Sequence, residues 1–175
     1  IKVKFKRPKS LALNNSSSYS VTRHAVKWLV KNEKWKADIV VILSPTTPFR
    51  KPKHIDKTIE MLINSKSNTA MTITEPSYPP YWMFKKKNNK FDFILPKGKK
   101  IYQRQNCPRV YQPAGMVYAF KSKHLFKLNT ILPEKNTLCL YVNRNEAINI
   151  DNIIDYKLAK IIAKEILIYF KNLKL

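Results

Sequence analysis

The feature that most constrains this chain is an abrupt change of character after Leu43. "DIVVIL", residues 38–43, is a continuous apolar run rich in β-branched residues. Such runs belong to strands covered on both faces. The run breaks at Ser44-Pro45-Thr46-Thr47-Pro48-Phe49-Arg50, and a helical rhythm then places Ile55, Ile59, Leu62 and Ile63 on one face. Pro52 suits a first helical turn, where no intrahelical amide bond is lost. The pattern predicts a central parallel strand, a polar turn at its carboxyl end and a helix crossing back over the sheet.

The rest of the chain repeats this theme. A Ser-rich loop, Asn14–Ser18, precedes a helix over about 20–34 with Val21, Ala25, Trp28 and Leu29 on one face. "NTAMTIT" (68–74), "MVYAFK" (116–121) and "AINI" (147–150) read as strands, and "KVKFK" (2–6) as an edge strand. Residues 75–111 break the rhythm with prolines and aromatics, which predicts an irregular, β-rich arm and a plausible oligomer contact. A last helix is predicted over about 152–173. Its wide apolar face (Ile154, Leu158, Ile161, Ile162, Ile166, Leu167, Phe170) is expected to pack on the sheet. No internal repeat or linker interrupts residues 1–175, so one α/β domain is expected.

Net charge of +23 points to an anionic partner, but the basic residues are dispersed and carry no nucleic-acid signature. No nucleic acid and no membrane are expected as partners. No apolar run reaches the roughly 18 residues of a membrane span, and the opening residues lack a signal-peptide core. Cys107 and Cys139 follow no metal or redox spacing, which predicts free thiols in a reducing cytoplasm. With only Gly98 and Gly115, the chain cannot build a Gly-rich phosphate loop.

Ligands of open α/β sheets sit beyond the carboxyl ends of strands. Three polar breaks are expected there: Ser44–Arg50, a Gln112–Tyr118 turn and Asn149-Ile150-Asp151. Arg50 suits a carboxylate or phosphate, and Asp151 suits Mg²⁺ bound through phosphates. Two plainer readings stay open. The Pro-Thr-Thr-Pro segment would merely start a helix, and Asp151 would merely cap the last one. His24, His54 and His124 are scattered and are not expected to ligate metal or act as a base.

Four blocks in order resemble the cytidylyltransferases that activate nine-carbon acidic sugars, the N-acylneuraminate (sialic acid) family with its legionaminic and pseudaminic relatives. The blocks are "RPKSLALNNSSSYSVTRHAVKWL", "VILSPTTPFRKPKHIDKTIEML", "YQRQNCPRVYQPAGMVYAFK" and "INIDNIIDYKLAKII". The resemblance implies a nucleotide-diphospho-sugar-transferase-like, Rossmann-like fold with a mostly parallel sheet flanked by helices. It implies CMP transfer from CTP to a sialic, legionaminic or pseudaminic type of acid, pyrophosphate release, Mg²⁺ (or Mn²⁺), and a homodimer with residues 75–111 as its arm. It also implies roles. Asp151 and Arg50 are catalytic candidates, with Asp151 and Asn149 at the metal. Ser44, Thr46, Arg104, Gln105, Gly115 and Tyr118 face substrate, and Arg7, Ser17 and Ser18 lie near the nucleotide–sugar junction.

Three positions depart from the family pattern: Ser44 stands where Gln is usual, Ala114 where Asn is common, and Asn149 where the signature begins with Asp. Nothing matches the family's N-terminal strand and Gly-, Arg- and Lys-containing CTP loop. The chain is therefore expected to be an N-terminally truncated piece, inactive as it stands. A non-catalytic basic α/β module that binds an anionic sugar or nucleic acid is the alternative.

Overall fold

A computed structural model describes residues 5–127, 131 and 135–172. The 2–6 edge strand therefore lies largely outside the described residues. So do Leu173 and the side chain of Phe170.

The main sheet contains β1 (Ile39–Leu43), β2 (Thr69–Thr74), β5 (Gln112–Lys121) and β6 (Leu138–Tyr141), in the order β1-β5-β2-β6. β5 runs antiparallel to both β1 and β2, while β2 and β6 are parallel. Thus β1, β2 and β6 point the same way, and one reversed strand is wedged among them. The α/β class holds, with a mixed sheet.

Helices cover both faces. α1 (Ser18–Glu33) buries Tyr19 and Val26 against Phe120 and Leu125, with Val40, Ile42 and Tyr118 alongside. Leu125 ends α3 (Ser122–Leu125). On the other face, α2 (Pro52–Ile63) brings Leu62 to Ala70 and Ala119, and Ile55 to Met116 and Val117. The period of two along β1 explains the split: Val40 and Ile42 go one way, Ile39 and Val41 the other.

Several expectations are corrected. Among the described residues β1 lies at the edge of the sheet and pairs antiparallel with β5, not as the central parallel strand expected: its apolar run reflects coverage on two faces, which does not require neighbours on two edges. Gln112–Tyr118 is not a turn but most of β5, kinked where Gly115 adopts φ +70° and the pairing with β2 shifts register. At the kink, the Val117 amide donates to Thr72 Oγ1 at 3.1 Å instead of to a ladder carbonyl. "AINI" is not a strand. The Ala147 amide turns back onto Asn143 O, and the Ile150 amide donates to Thr46 O at 2.9 Å, so the segment crosses the turn after β1. The missing strand is β6, whose four residues "LCLY" are too few to stand out.

The last helix, α4 (Ile153–Asn172), does not pack on the sheet. Ala159 is its one fully buried side chain among the described residues, while Ile154, Leu158, Ile161 and Leu167 are exposed. The helix borders an open groove of about 750 Å³ against Pro48, Phe49 and Arg50. No described helix is long and apolar enough to cross a membrane.

Residues 75–111 form an irregular arm. Its hairpin joins β3 (Phe84–Lys87) to β4 (Lys90–Phe93), with Asn88 in the left-handed region that such a turn favours. Phe84 packs against Phe91 and Phe93 with ring centroids 4.5 and 4.8 Å away. The base of the arm closes on Gly98, where an added Cβ would lie 1.8 Å from Tyr81 O.

Candidate active site

The carboxyl ends of β1, β2 and β6 share one edge with the start of β5. The turn leaving β1 builds the site's floor. Thr47 is buried, and its Oγ1 donates to Ser44 O at 3.0 Å. Arg50 Nη1 reaches back to Ser44 O (2.7 Å), Thr47 Oγ1 (2.9 Å) and Met116 O on β5 (3.2 Å). Arg50 is a staple that gives the Pro-Thr-Thr-Pro segment one shape and ties it to the sheet. At least one of its guanidinium nitrogens therefore faces protein carbonyls, not an incoming anion.

Above this floor runs a line of polar groups. Ser44 Oγ lies 2.9 Å from Thr46 Oγ1. Thr46 Oγ1 donates to Asn149 Oδ1 at 2.5 Å, and Asn149 Nδ2 donates to Asp151 Oδ2 at 2.8 Å. Residues more than a hundred positions apart thus meet. Asn149 accepts from Thr46 through its oxygen and donates to Asp151 through its amino group, so it holds the carboxylate in place, and the second lone pair of its Oδ1 is still available to a ligand.

The capping alternative for Asp151 is resolved. Asn152 Oδ1 accepts from the Ile154 and Asp155 amides at 2.8 and 3.1 Å. Asp155 Oδ2 accepts from the Asp151 and Asn152 amides at 3.0 and 3.1 Å. This reciprocal cap starts α4 without the Asp151 side chain, leaving that carboxylate exposed at the site.

Other candidates are distributed around this line. Arg104 Nη2 donates to Ser77 O at 3.2 Å, and Arg144 Nη2 donates to Ser77 Oγ at 2.7 Å. Arg104 is thereby linked to the loop that carries Asp151. Gln105 is exposed and bonds Gln103. Gly115 lies over Thr47, 3.8 Å from its methyl at the position of an added Cβ, so space is not the restriction there. Tyr118 is half-buried in the α1-side core, and burial raises its hydroxyl pKa. Its placement is that of a core residue. Arg7 is exposed, and Ser17 caps α1 by accepting from the Ser20 amide at 3.1 Å. Ser18 lends its carbonyl to Thr22.

The sequence reading missed a cluster. His54 is buried on α2; its Nδ1 accepts the Lys51 amide at 3.2 Å, and its Nε2 lies 3.1 Å from Glu146 Oε2. Lys51 Nζ pairs with the other Glu146 oxygen. Burial lowers the His54 pKa despite the opposing pull of Glu146, and the Lys51 hydrogen bond lowers that of Glu146. The signal was the spacing of His54, Thr58 and Leu62, a buried stripe at every fourth residue.

Among the described residues, no three His, Cys, Asp or Glu side chains converge on a metal position. One exposed carboxylate still fits Mg²⁺, which commonly binds one or two carboxylates with substrate phosphates completing the shell.

This architecture is shared with a solved synthetase. It superposes with a TM-score of 0.54 on CMP:2-keto-3-deoxy-manno-octonic acid synthetase complexed with CTP, at 14% identity, covering 88% of this chain and 70% of that one. The chain is similar to the post-translational flagellin modification protein B of Campylobacter coli, 24% identical over 162 residues, which cover 92% of this chain and 68% of that protein. It is also similar to the CMP-N,N'-diacetyllegionaminic acid synthase of Legionella pneumophila, 27% identical over 127 residues, 70% of this chain and 53% of that protein. No protein-family model matches the chain.

Proposed function

We propose that the chain carries the sugar-side half of a cytidylyltransferase site that joins CMP from CTP to a nine-carbon acidic sugar of the legionaminic or pseudaminic type. The observation that carries this reading is the continuous Ser44–Thr46–Asn149–Asp151 line. It lies at the strand-end edge of a sheet whose fold is that of a CTP-complexed synthetase. The similarity to a CMP-N,N'-diacetyllegionaminic acid synthase supports the choice of sugar.

In the reaction, the sugar's anomeric hydroxyl oxygen attacks the α-phosphorus of CTP. The bond to the β-phosphate oxygen breaks, pyrophosphate leaves, and the hydroxyl proton is lost. Positioning and charge neutralisation supply most of the acceleration in such transfers. Asp151 would hold Mg²⁺ (or Mn²⁺), which neutralises phosphate charge when bound. Ser44 and Thr46 would orient sugar hydroxyls. Arg104, with one face tied to Ser77, would meet the sugar carboxylate. The exposed Phe84 and Phe91 of the arm suit contact with a second copy.

The test is pyrophosphate release by the full-length gene product with CTP, Mg²⁺ and a panel of sugars. Release is expected with nonulosonic acids and lost in Asp151→Ala. Equal release with hexose phosphates would overturn the substrate class.

A further inference from the structure

The loop that delivers Asn149 and Asp151 is docked on the turn after β1 at two places. One is the site line itself, with the Ile150 amide on Thr46 O and Thr46 Oγ1 on Asn149. The other lies just upstream, where Glu146 bridges Lys51 and buried His54. Asn143 connects the two, since its carbonyl accepts from the Glu146 and Ala147 amides. The loop has no strand partner over 147–150, so sheet pairing does not set its height above Thr46. His54 is held in turn: its Nδ1 is occupied by the Lys51 amide, and Thr58 Oγ1 donates to its carbonyl at 2.6 Å.

We propose that Lys51, His54 and Glu146 form a positioning clamp that sets the Asn149–Asp151 pair against Thr46 and thereby tunes the metal-binding carboxylate. This rests on the metal reading of Asp151 given above. None of the three is a catalytic residue. A neutral His54 presents Nε2–H to one carboxylate oxygen while Lys51 takes the other, so Glu146 has one geometry. Partners that orient a ligand, without touching the metal, commonly affect affinity by about tenfold or more.

Two readouts separate the clamp from the metal reading. Amide hydrogen exchange is measured at Ile150 and, as an internal reference, at Val117 in β5. Glu146→Gln is expected to speed Ile150 exchange about tenfold relative to Val117. Lys51→Met, a change at an exposed side chain, is expected to do the same more weakly without endangering the fold. Unchanged Ile150 exchange in both variants would overturn the clamp. Mn²⁺ affinity at Asp151, with CTP present, is then read from paramagnetic broadening of the Asp151 and Asn152 amide signals. About tenfold weaker Mn²⁺ binding is expected in Glu146→Gln, and Lys51→Arg should restore most of what Lys51→Met loses. Faster exchange with unaltered Mn²⁺ affinity would refute the tuning role. No broadening in the unsubstituted chain would sink the metal reading alone, with exchange still deciding the clamp.

Discussion

Arg50 shows how a residue suited to a ligand can be spent on the scaffold. Its Nη1 serves three oxygens from two segments, so Arg50→Ala should leave Ser44 O and Met116 O short of donors. A loss of about 2 kcal/mol in chemical denaturation is expected. Retained stability with lost substrate binding would instead return Arg50 to the ligand. His54 and Glu146 give a pH signature. The folded-state pKa of His54 is lowered from 6.5, so as pH falls below that value the unfolded chain takes up the proton first and stability drops. Glu146, lowered from 4.5, adds a second loss below that pH. Thermal melts from pH 7.5 to 4 should show the first decline, and His54→Gln should remove it. The sequence reading put Thr46, Asn149 and Asp151 at one edge of the sheet, but not the bonds between them, because it took residues 147–150 for a strand and not for a segment crossing the turn after β1. Arg50's inward bonds were not, since nothing in "PTTPFR" says whether the guanidinium turns to carbonyls or to solvent.

At the scale of elements, the arm depends on one close approach. In Gly98→Ala the new Cβ meets the Tyr81 carbonyl, a backbone atom that cannot swing aside. The turn at Pro80–Trp82 must part from that at Pro96–Lys100, breaking the Trp82 Nε1–Ile101 O bond of 2.8 Å. Shifted Trp emission and faster proteolysis over 83–101 are expected, with the main-sheet transition little changed. An unaltered digestion pattern would contradict this account. Helices α1 and α2 and strands β1 and β2 were readable from period and punctuation. Strand β6 was not, because four residues carry too little pattern. The dispositions of β1 and α4 were also hidden: apolar content predicts that a surface is covered, not which element covers it.

For the whole molecule, the order β1-β5-β2-β6 sets the terms of stability. Gly115 lies in the strand that both β1 and β2 pair with, in a left-handed conformation. Gly115→Ala should cost about 1–2 kcal/mol and lower the single unfolding transition of the main sheet; an unchanged midpoint would show that the kink is not under this constraint. The same order has a consequence in time. Strands β1 and β2, successive in the chain, are not neighbours in the sheet and both pair with β5, whose last residue is Lys121. During synthesis, β1 and β2 therefore cannot be joined until the whole arm and β5 have left the ribosome. Until then the apolar runs of β1 and β2 lack the strand that joins them, and what shields them during elongation becomes a determinant of yield in cells.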